Sequence, residues 1–237
     1  MREQHKYKHL NNMINKFINI LKWPIAIFML WSIPASVFLL IHFISLQINT
    51  ANIFSPLLIG FFGYLILWRI IFKRHAIGSY FSTLEHECTH GIFAILTGNS
   101  VKGMKVTAHE GGHLSYEGEG NWLITVAPYF FPTITVLLML VRIFIDYNYW
   151  FEVIIGASIA FHLTSTYLET HGAQTDLQNV GKKFALLFLP SANIIIYILI
   201  IIYVQSGFES LVSAVEYFSN EFIDFSKLVV NYLTKLI

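Results

Sequence analysis

Residues 79–98 contain the side chains in this sequence that are best suited to chemistry. The segment reads SYFSTLEHECTHGIFAILTG and places His86, Glu87 and His90 in an H-E-x-x-H pattern. On a helix, His86 and His90 lie one turn apart on the same face, which is the separation that two imidazoles need to bind one metal ion. Glu87 projects beside them, where its carboxylate can take a proton from a water molecule that the metal activates. The pattern therefore predicts a metal site with an adjacent base.

The element that must position these residues is a helix in an apolar segment. Ser79 or Ser82 is the expected cap at its start, and Gly98 is the expected stop. Burying an ionisable residue at membrane depth costs several kcal/mol unless it is paired or coordinated, and four such residues occur between Glu85 and His90. A bound metal explains the whole group. The alternative is a chance match to the pattern, with Glu85 closing a capping box with Ser82.

The composition indicates an integral membrane protein. Of the 237 residues, 55% are hydrophobic and 12% are charged, whereas roughly 25% charged residues are usual in soluble domains. The formal net charge of +1 gives no indication of binding to nucleic acid, so no nucleic-acid partner is predicted.

The hydrophobic pattern predicts an all-α polytopic membrane protein with about six transmembrane helices. The predicted spans are residues 23–46, 53–72, the H-E-x-x-H helix, 122–145, 149–167 and 184–204. The fourth span is interrupted by Pro128 and Pro132, and such prolines predict a kink facing a cavity.

A short β-hairpin is predicted after the metal-binding helix. Polar and apolar residues alternate in residues 101–107 and 112–117, as is typical of two short strands. The free edge of this hairpin could hold an extended peptide by strand addition and turn its carbonyl groups towards the metal. The other interpretation is a surface hairpin without a ligand.

Both ends of the chain differ from the membrane domain at residues 23–205. Residues 1–22 form a basic, partly amphipathic arm, and its charge predicts a cytoplasmic amino terminus in the cell membrane. This arm either lies flat on the membrane or is a plain polar leader. Residues 206–237 form an amphipathic helical segment that lies on the membrane or packs against a second subunit.

Two histidines leave a zinc site short of at least one protein ligand. The polar segment 169–179, which reads ETHGAQTDLQN, offers the largest choice of further ligands in this sequence. Asp176, Glu169 and His171 are the candidates. The alternative is that the segment is an ordinary loop between two spans.

The order of these parts resembles the site-2 protease family of intramembrane zinc metalloproteases. The resemblance covers roughly residues 79–187 and rests on four features, which are His86-Glu87-Cys88-Thr89-His90, the helix end at Gly98, the strand pair with Gly111-Gly112, and Ala127-Pro128 in the fourth span.

Members of that family take their third zinc ligand from an aspartate in a later, partly unwound membrane segment, and Asp176 is the matching residue. The surroundings of this aspartate depart from the family pattern of an upstream Asn-Pro and a following Gly. Here Gln174-Thr175 precede Asp176, and Leu177 follows it. Gln174 or Asn179 could replace the family asparagine that helps to bind the substrate carbonyl.

The resemblance implies one zinc ion held by His86, His90 and Asp176, with Glu87 as the catalytic base. The implied activity is a metalloendopeptidase that hydrolyses peptide bonds in or near transmembrane segments, and the implied partners are a membrane-anchored protein substrate and the lipid bilayer. A protease of another clan with Glu169 as the ligand is one alternative. A non-catalytic membrane scaffold or partner-binding protein is the other.

The order of the spans sets one further condition on the fold. A complete fifth crossing would carry Asp176 to the side of the membrane opposite His86, and a single metal site cannot tolerate that separation. We therefore predict a broken helix between Tyr167 and Asn179.

Overall fold

The computed structural model describes residues 2–49, 56–74, 76–107, 111–145, 148–170 and 174–235. In these ranges the chain is mainly helical, as predicted, and the two strands form one antiparallel hairpin. The helices are α1 (Arg2–Ile20), α2 (Lys22–Trp31), α3 (Ile33–Asn49), α4 (Pro56–Ile70), α5 (Ala76–Leu96), α6 (Trp122–Val126), α7 (Thr133–Arg142), α8 (Tyr149–Glu169), α9 (Thr175–Val180) and α10 (Lys182–Thr234). The strands are β1 (Ser100–Val106) and β2 (Gly112–Glu117), and single 3₁₀ turns lie at Phe72–Arg74 and Ala127–Tyr129.

Within the described ranges, three helical segments are long and apolar enough to cross a membrane, so the structure does not reproduce the predicted six spans. These segments are Tyr7–Trp31, Tyr149–Glu169 and Lys182–Val204. The pair Trp122–Tyr129 and Thr133–Arg142 is bent by 80° and makes a fourth span if the two helices are counted together. Ile33–Leu46 and Pro56–Ile70 are apolar but shorter.

Breaks in the helices explain part of this difference. The predicted third span, α5, is a continuous helix of 21 residues but is not among these segments. The predicted span at residues 23–46 is divided between α2 and α3, and Pro34 lies in the first turn of α3, where its missing N–H removes no helical hydrogen bond. In the second predicted span, residues 53–55 lie outside the described residues, and α4 has only 15 residues. Hydropathy measures the length of an apolar run, and a run can contain a helix break.

The structure divides into two compact units, and the first consists of Met1–Pro24 and Pro56–Ala185. In this unit α4 packs closely against α8 at two glycines. A Cβ atom at Gly60 would lie 1.8 Å from the Val153 carbonyl oxygen, and one at Gly156 would lie 1.9 Å from the Leu57 carbonyl oxygen. Small residues of this kind allow the backbones of two membrane helices to approach each other.

The hairpin packs against the carboxyl-terminal half of α5 in the same unit. Phe93 and Ala94 on α5 form a buried cluster with Ile124 and Ala127, and Leu114 and Tyr116 on β2 pack against this cluster. The register of the hairpin pairs Val106 with Gly112 and Ser100 with Glu117. The predicted strand pair is therefore confirmed.

The second unit consists of Ile25–Ser55 and Leu186–Ile237. Its core is formed by Leu39 on α3 and by Ile198, Ile202 and Ala214 on α10. Gly207 interrupts α10 with a φ of 77°, and the helix then continues to Thr234. The helical segment predicted at residues 206–237 thus packs partly on α3 of the same chain, through Ala214.

Candidate metal centre

Helix α5 places the two histidines of the H-E-x-x-H pattern one turn apart, with 3.1 Å between their Nε2 atoms. The predicted cap was wrong, because α5 begins at Ala76 and Ser82 is buried inside the helix, where its Oγ lies 2.7 Å from Ser165 Oγ on α8. The predicted stop is confirmed: the helix ends at Leu96, and Gly98 adopts a φ of 80°, which favours glycine.

Asp176 reaches the same point from the later segment. Its Oδ2 atom lies 3.1 Å from His86 Nε2 and 3.1 Å from His90 Nε2. We call the His86, His90 and Asp176 side chains the ligand triangle. Within the described residues, it is the group of histidine, cysteine and acidic side chains whose ligand atoms lie close enough together to share an ion.

A break in the helices brings Asp176 to the histidines. Helix α8 ends at Glu169, and Thr170 leaves the helical conformation with a φ of −86° and a ψ of 81°. Helix α9 then begins at Thr175, after Gln174 in an extended conformation. The broken helix predicted between Tyr167 and Asn179 is confirmed.

The ligand triangle fits a zinc ion. Three atoms with mutual distances of 3.1 Å can share one ion at the roughly 2.0–2.2 Å that zinc makes to nitrogen and oxygen. The donor set of two imidazole nitrogens and one carboxylate oxygen is also typical of catalytic zinc sites, which use three protein ligands.

Groups around the ligand triangle fix its orientation. His90 Nδ1 lies 2.7 Å from the Ile124 carbonyl oxygen, and a carbonyl oxygen can only accept a hydrogen bond. His90 Nδ1 therefore donates, which leaves the lone pair of Nε2 directed to the triangle. Tyr129 donates from its hydroxyl group to Asp176 Oδ2 at 3.3 Å, and its ring packs edge-on against the ring of His86.

The ligand triangle and Glu87 line a cleft of about 500 Å³. Strand β2 forms one wall of the cleft and approaches Glu87 so closely that a Cβ atom on Gly112 would lie 2.5 Å from Glu87 Cγ. Tyr116 lies on the same wall, and burial raises the pKa of its phenol, with a further contribution from the charge of Asp176. The cleft thus brings together a carboxylate, three possible metal ligands and a strand.

The remaining predicted site residues either line this cleft or lie outside the described residues. Glu169, Gln174 and Asn179 line the cleft, and Glu169 Oε2 accepts a hydrogen bond from Gln174 Nε2 at 3.4 Å. Glu169 does not belong to the ligand triangle. His171 lies outside the described residues.

Two contacts at or near the site are not predicted by the H-E-x-x-H pattern. Tyr129 follows Pro128 in the interrupted fourth span, where a phenol is a possible partner for a buried carboxylate. Glu85 Oε2 lies 3.3 Å from His162 Nδ1, and both side chains are buried. We call these two residues the buried pair. His162 lies alone among apolar residues in the sequence, and nothing in its spacing indicates Glu85 as its partner.

Comparison with known proteins gives one match. The family described as Peptidase M50B-like matches residues 57–223, which is more than half of the chain. No curated protein and no solved structure matches this sequence. The matched region contains α5, the hairpin and the segment that carries Asp176. The chain therefore belongs to the site-2 protease family of intramembrane metalloproteases.

Proposed function

We propose that this protein is an intramembrane zinc metalloprotease that hydrolyses peptide bonds in or near the transmembrane segments of membrane-anchored proteins. The observation that supports this most directly is the meeting of His86, His90 and Asp176 at 3.1 Å, in the cleft that Glu87 also lines. Membership of the family supports the class of reaction.

His86, His90 and Asp176 would hold the ion. A bound zinc ion supplies a Lewis acid that polarises the scissile carbonyl group and makes water a nucleophile near neutral pH. The hydrogen bond from His90 Nδ1 to the Ile124 carbonyl oxygen and the one from Tyr129 to Asp176 keep these two ligands in place.

Glu87 acts as the general acid and base. Its carboxylate takes one proton from the attacking water as the oxygen bonds to the carbonyl carbon of the substrate. It then delivers this proton to the nitrogen of the leaving amine as the C–N bond breaks. Gly112 allows β2 to lie directly against this carboxylate, because no side chain separates them.

A substrate helix must unwind before the carbonyl group of the scissile bond can react, since helical hydrogen bonds already occupy its backbone N–H and C=O groups. Strand β2 lines the cleft and is paired with β1 on one side, so its other edge can pair with an extended substrate segment. The side chains of Gln174 and Asn179 also line the cleft and are suited to hold the carbonyl group of the substrate.

The location of the protein is indicated by its helices and by the charge of its amino-terminal segment. The apolar helices and the family support an integral membrane protein. We propose that it crosses the cell membrane several times with its amino terminus in the cytoplasm, because five Lys and Arg residues but one acid occur in residues 1–22.

Metal analysis and a cleavage assay on the purified full-length protein test the proposal. Suitable probes are tagged single-span proteins whose spans carry a helix-breaking Gly or Pro. Wild-type protein should hold one zinc ion and cleave such a probe. Glu87→Gln should keep the zinc and lose about 10²- to 10⁴-fold in rate, the usual contribution of a general acid–base group.

The matched control is Glu117→Gln, which changes an exposed carboxylate on the hairpin and should retain both zinc and activity. The proposal is wrong if the wild-type protein holds no zinc or if Glu87→Gln cleaves the probe at the wild-type rate. Zinc binding without cleavage of any probe would favour a metal-binding scaffold.

A further inference from the structure

Three asparagines form one face of α1. Asn11, Asn15 and Asn19 are spaced by four residues, which places them along the same side of a helix. We call these three residues the asparagine face. Asn15 is fully buried, whereas the side chains of Lys16 and Phe17, which follow it, are exposed. Helix α1 is therefore docked on the rest of its unit through polar side chains.

Asn15 is the centre of a buried hydrogen-bond network. Its Nδ2 donates to Asn11 Oδ1 at 2.5 Å and to Asn99 Oδ1 at 3.0 Å. Its Oδ1 accepts from Asn99 Nδ2 at 3.2 Å and from Asn121 Nδ2 at 2.6 Å. An asparagine side chain has two N–H groups and two oxygen lone pairs, so all four are used.

The network joins the two short segments that connect the hairpin to α5 and to α6. Asn99 follows Gly98 at the end of α5 and precedes β1, and Asn121 follows β2 and precedes α6. Asn19 adds two bonds at the second point: its Nδ2 donates to the Gly120 carbonyl oxygen at 3.3 Å, and its Oδ1 accepts from the Trp122 N–H at 3.1 Å. The asparagine face thus holds both ends of the hairpin.

The second junction leads to a predicted metal ligand. Asn121 Oδ1 accepts hydrogen bonds from the backbone N–H groups of Leu123 and Ile124, at 3.1 and 3.2 Å, and caps α6. The carbonyl oxygen of Ile124 accepts the hydrogen bond from His90 Nδ1. A continuous series of hydrogen bonds and one residue of backbone therefore joins Asn15 to His90.

From these contacts we propose that the asparagine face is a positioning device for the metal centre. Asn15 fixes Asn121, the cap of α6 fixes the Ile124 carbonyl, and that carbonyl sets the orientation of His90. The same bonds fix the base of the hairpin, whose Gly112 lies against Glu87. This inference rests on the proposed function for its effect on catalysis, and its contacts are independent of that function.

The expected effect is on metal affinity more than on substrate binding. Loss of a group that orients a metal ligand typically costs 10- to 100-fold in metal affinity or activity. Asn15 acts through Asn121 and Ile124, so we expect the lower end, about tenfold. KM should stay close to the wild-type value, because the asparagine face does not line the cleft.

Two variants of the full-length protein separate positioning from general stability. Asn15→Leu removes the centre of the network. Asn121→Asp keeps an oxygen that accepts from the Leu123 and Ile124 N–H groups, and thus keeps the helix cap, but it cannot donate to Asn15. Asn12→Leu is the matched control, because Asn12 lies on the same helix beside the asparagine face and does not take part in the bonds described above.

Three measurements apply to each protein. The first is the dissociation constant of zinc, by competition with a chelator. The second is amide hydrogen exchange of β1, β2 and α6 in the metal-free protein, and the third is kcat and KM on a cleaved probe. Asn15→Leu and Asn121→Asp should weaken zinc binding about tenfold, lower kcat and speed exchange in these elements, while Asn12→Leu should match the wild type.

Each outcome decides the inference. Wild-type zinc affinity in Asn121→Asp, or exchange no faster than in Asn12→Leu, overturns it. If Asn15→Leu does not fold, Asn121→Asp decides, because it keeps the cap of α6 and loses the bond to Asn15. If the wild-type protein binds zinc but cleaves nothing, the proposed function fails and zinc affinity still tests the asparagine face. If the wild-type protein binds no zinc, the exchange rates alone decide.

Discussion

The ligand triangle and the buried pair are built from the same kinds of side chain on the same helix, yet their surroundings differ. His86 and His90 meet Asp176, whose side chain is 22% exposed at the cleft. One residue before His86, Glu85 meets His162, and each side chain is only 2% exposed. Both arrangements join α5 to a later segment of the chain through a histidine and a carboxylate.

The two arrangements differ in how many side chains face one point and in whether that point is open to the cleft. In the ligand triangle three possible ligand atoms face one point, and a bound cation would relieve their mutual repulsion. In the buried pair, one carboxylate and one imidazole face each other, and Glu85 Oε1 also accepts from the Ile134 N–H at 3.4 Å. In this second arrangement the two groups face each other and do not converge on a third point. The comparison teaches that geometry, and not residue type, separates a candidate metal site from a structural contact.

The largest expected effect is the loss of one corner of the ligand triangle. Asp176→Ala should remove bound zinc and reduce cleavage to background, because two histidines leave the site one protein ligand short. Added zinc should raise the unfolding temperature of the wild-type protein, since a ligand that binds only the folded state stabilises it, and should not raise that of Asp176→Ala. Metal analysis and thermal unfolding measure both effects.

Glu169→Ala is the control for this change, because Glu169 lines the same cleft outside the ligand triangle. It should retain zinc. Loss of zinc in Glu169→Ala with retention in Asp176→Ala would reverse the assignment and favour a protease with a glutamate ligand.

The buried pair should respond to substitution as a structural contact does. Glu85→Leu leaves the His162 imidazole buried without its carboxylate partner and should lower the free energy of unfolding by about 1–3 kcal/mol. The double variant Glu85→Leu/His162→Leu should recover most of this loss, because replacing both members of a buried polar pair by apolar groups is often neutral. Denaturation in mixed micelles measures the change.

Zinc affinity of the folded protein decides whether the comparison holds. It should be unchanged in the double variant, although Glu85 is adjacent to His86 in the sequence. A large fall in zinc affinity in the double variant would place the buried pair within the metal site and remove the distinction between the two clusters.

Local spacing is what made half of the site predictable. The positions of His86 and His90 require only a helix, and a helix of this length follows from an apolar run that stops at Gly98. Asp176 is 86 residues beyond His90, so its arrival depends on tertiary structure. Its prediction came from the family resemblance and from the condition that all ligands of one metal ion lie at the same depth in the membrane. That condition also predicted the break after α8.

The parts that the sequence did not predict depend on contacts between distant segments. The buried pair joins residues 77 positions apart, and the asparagine face bonds to residues 84 and more positions away. A polar residue on an apolar helix signals a need for a partner without identifying it. The predicted number of spans was not reproduced for a related reason, since a break such as the one just before Pro34 depends on how the chain packs.

The smallest expected effect comes from an ion pair on the exposed side of the hairpin. Lys102 Nζ lies 2.9 Å from Glu117 Oε2, and both side chains are 59% exposed. The hydrogen bond and charge of Lys102 lower the pKa of Glu117, so the contribution of this pair to stability is present above the unfolded-state pKa of Glu117 and is lost as the pH falls through its folded-state pKa. Exposed pairs of this kind contribute little, because solvent and salt screen them.

Lys102→Ala should therefore lower the unfolding temperature slightly at neutral pH and low salt, and leave zinc content and cleavage unchanged. The difference from the wild type should disappear in acid, where Glu117 is protonated, and at high salt. Lys102→Arg keeps the charge and should behave as the wild type. A loss of zinc or activity in Lys102→Ala would show that the outer face of the hairpin affects the metal centre. The burial of an ionisable pair and the number of groups that meet at one point would then not be enough to predict its effect.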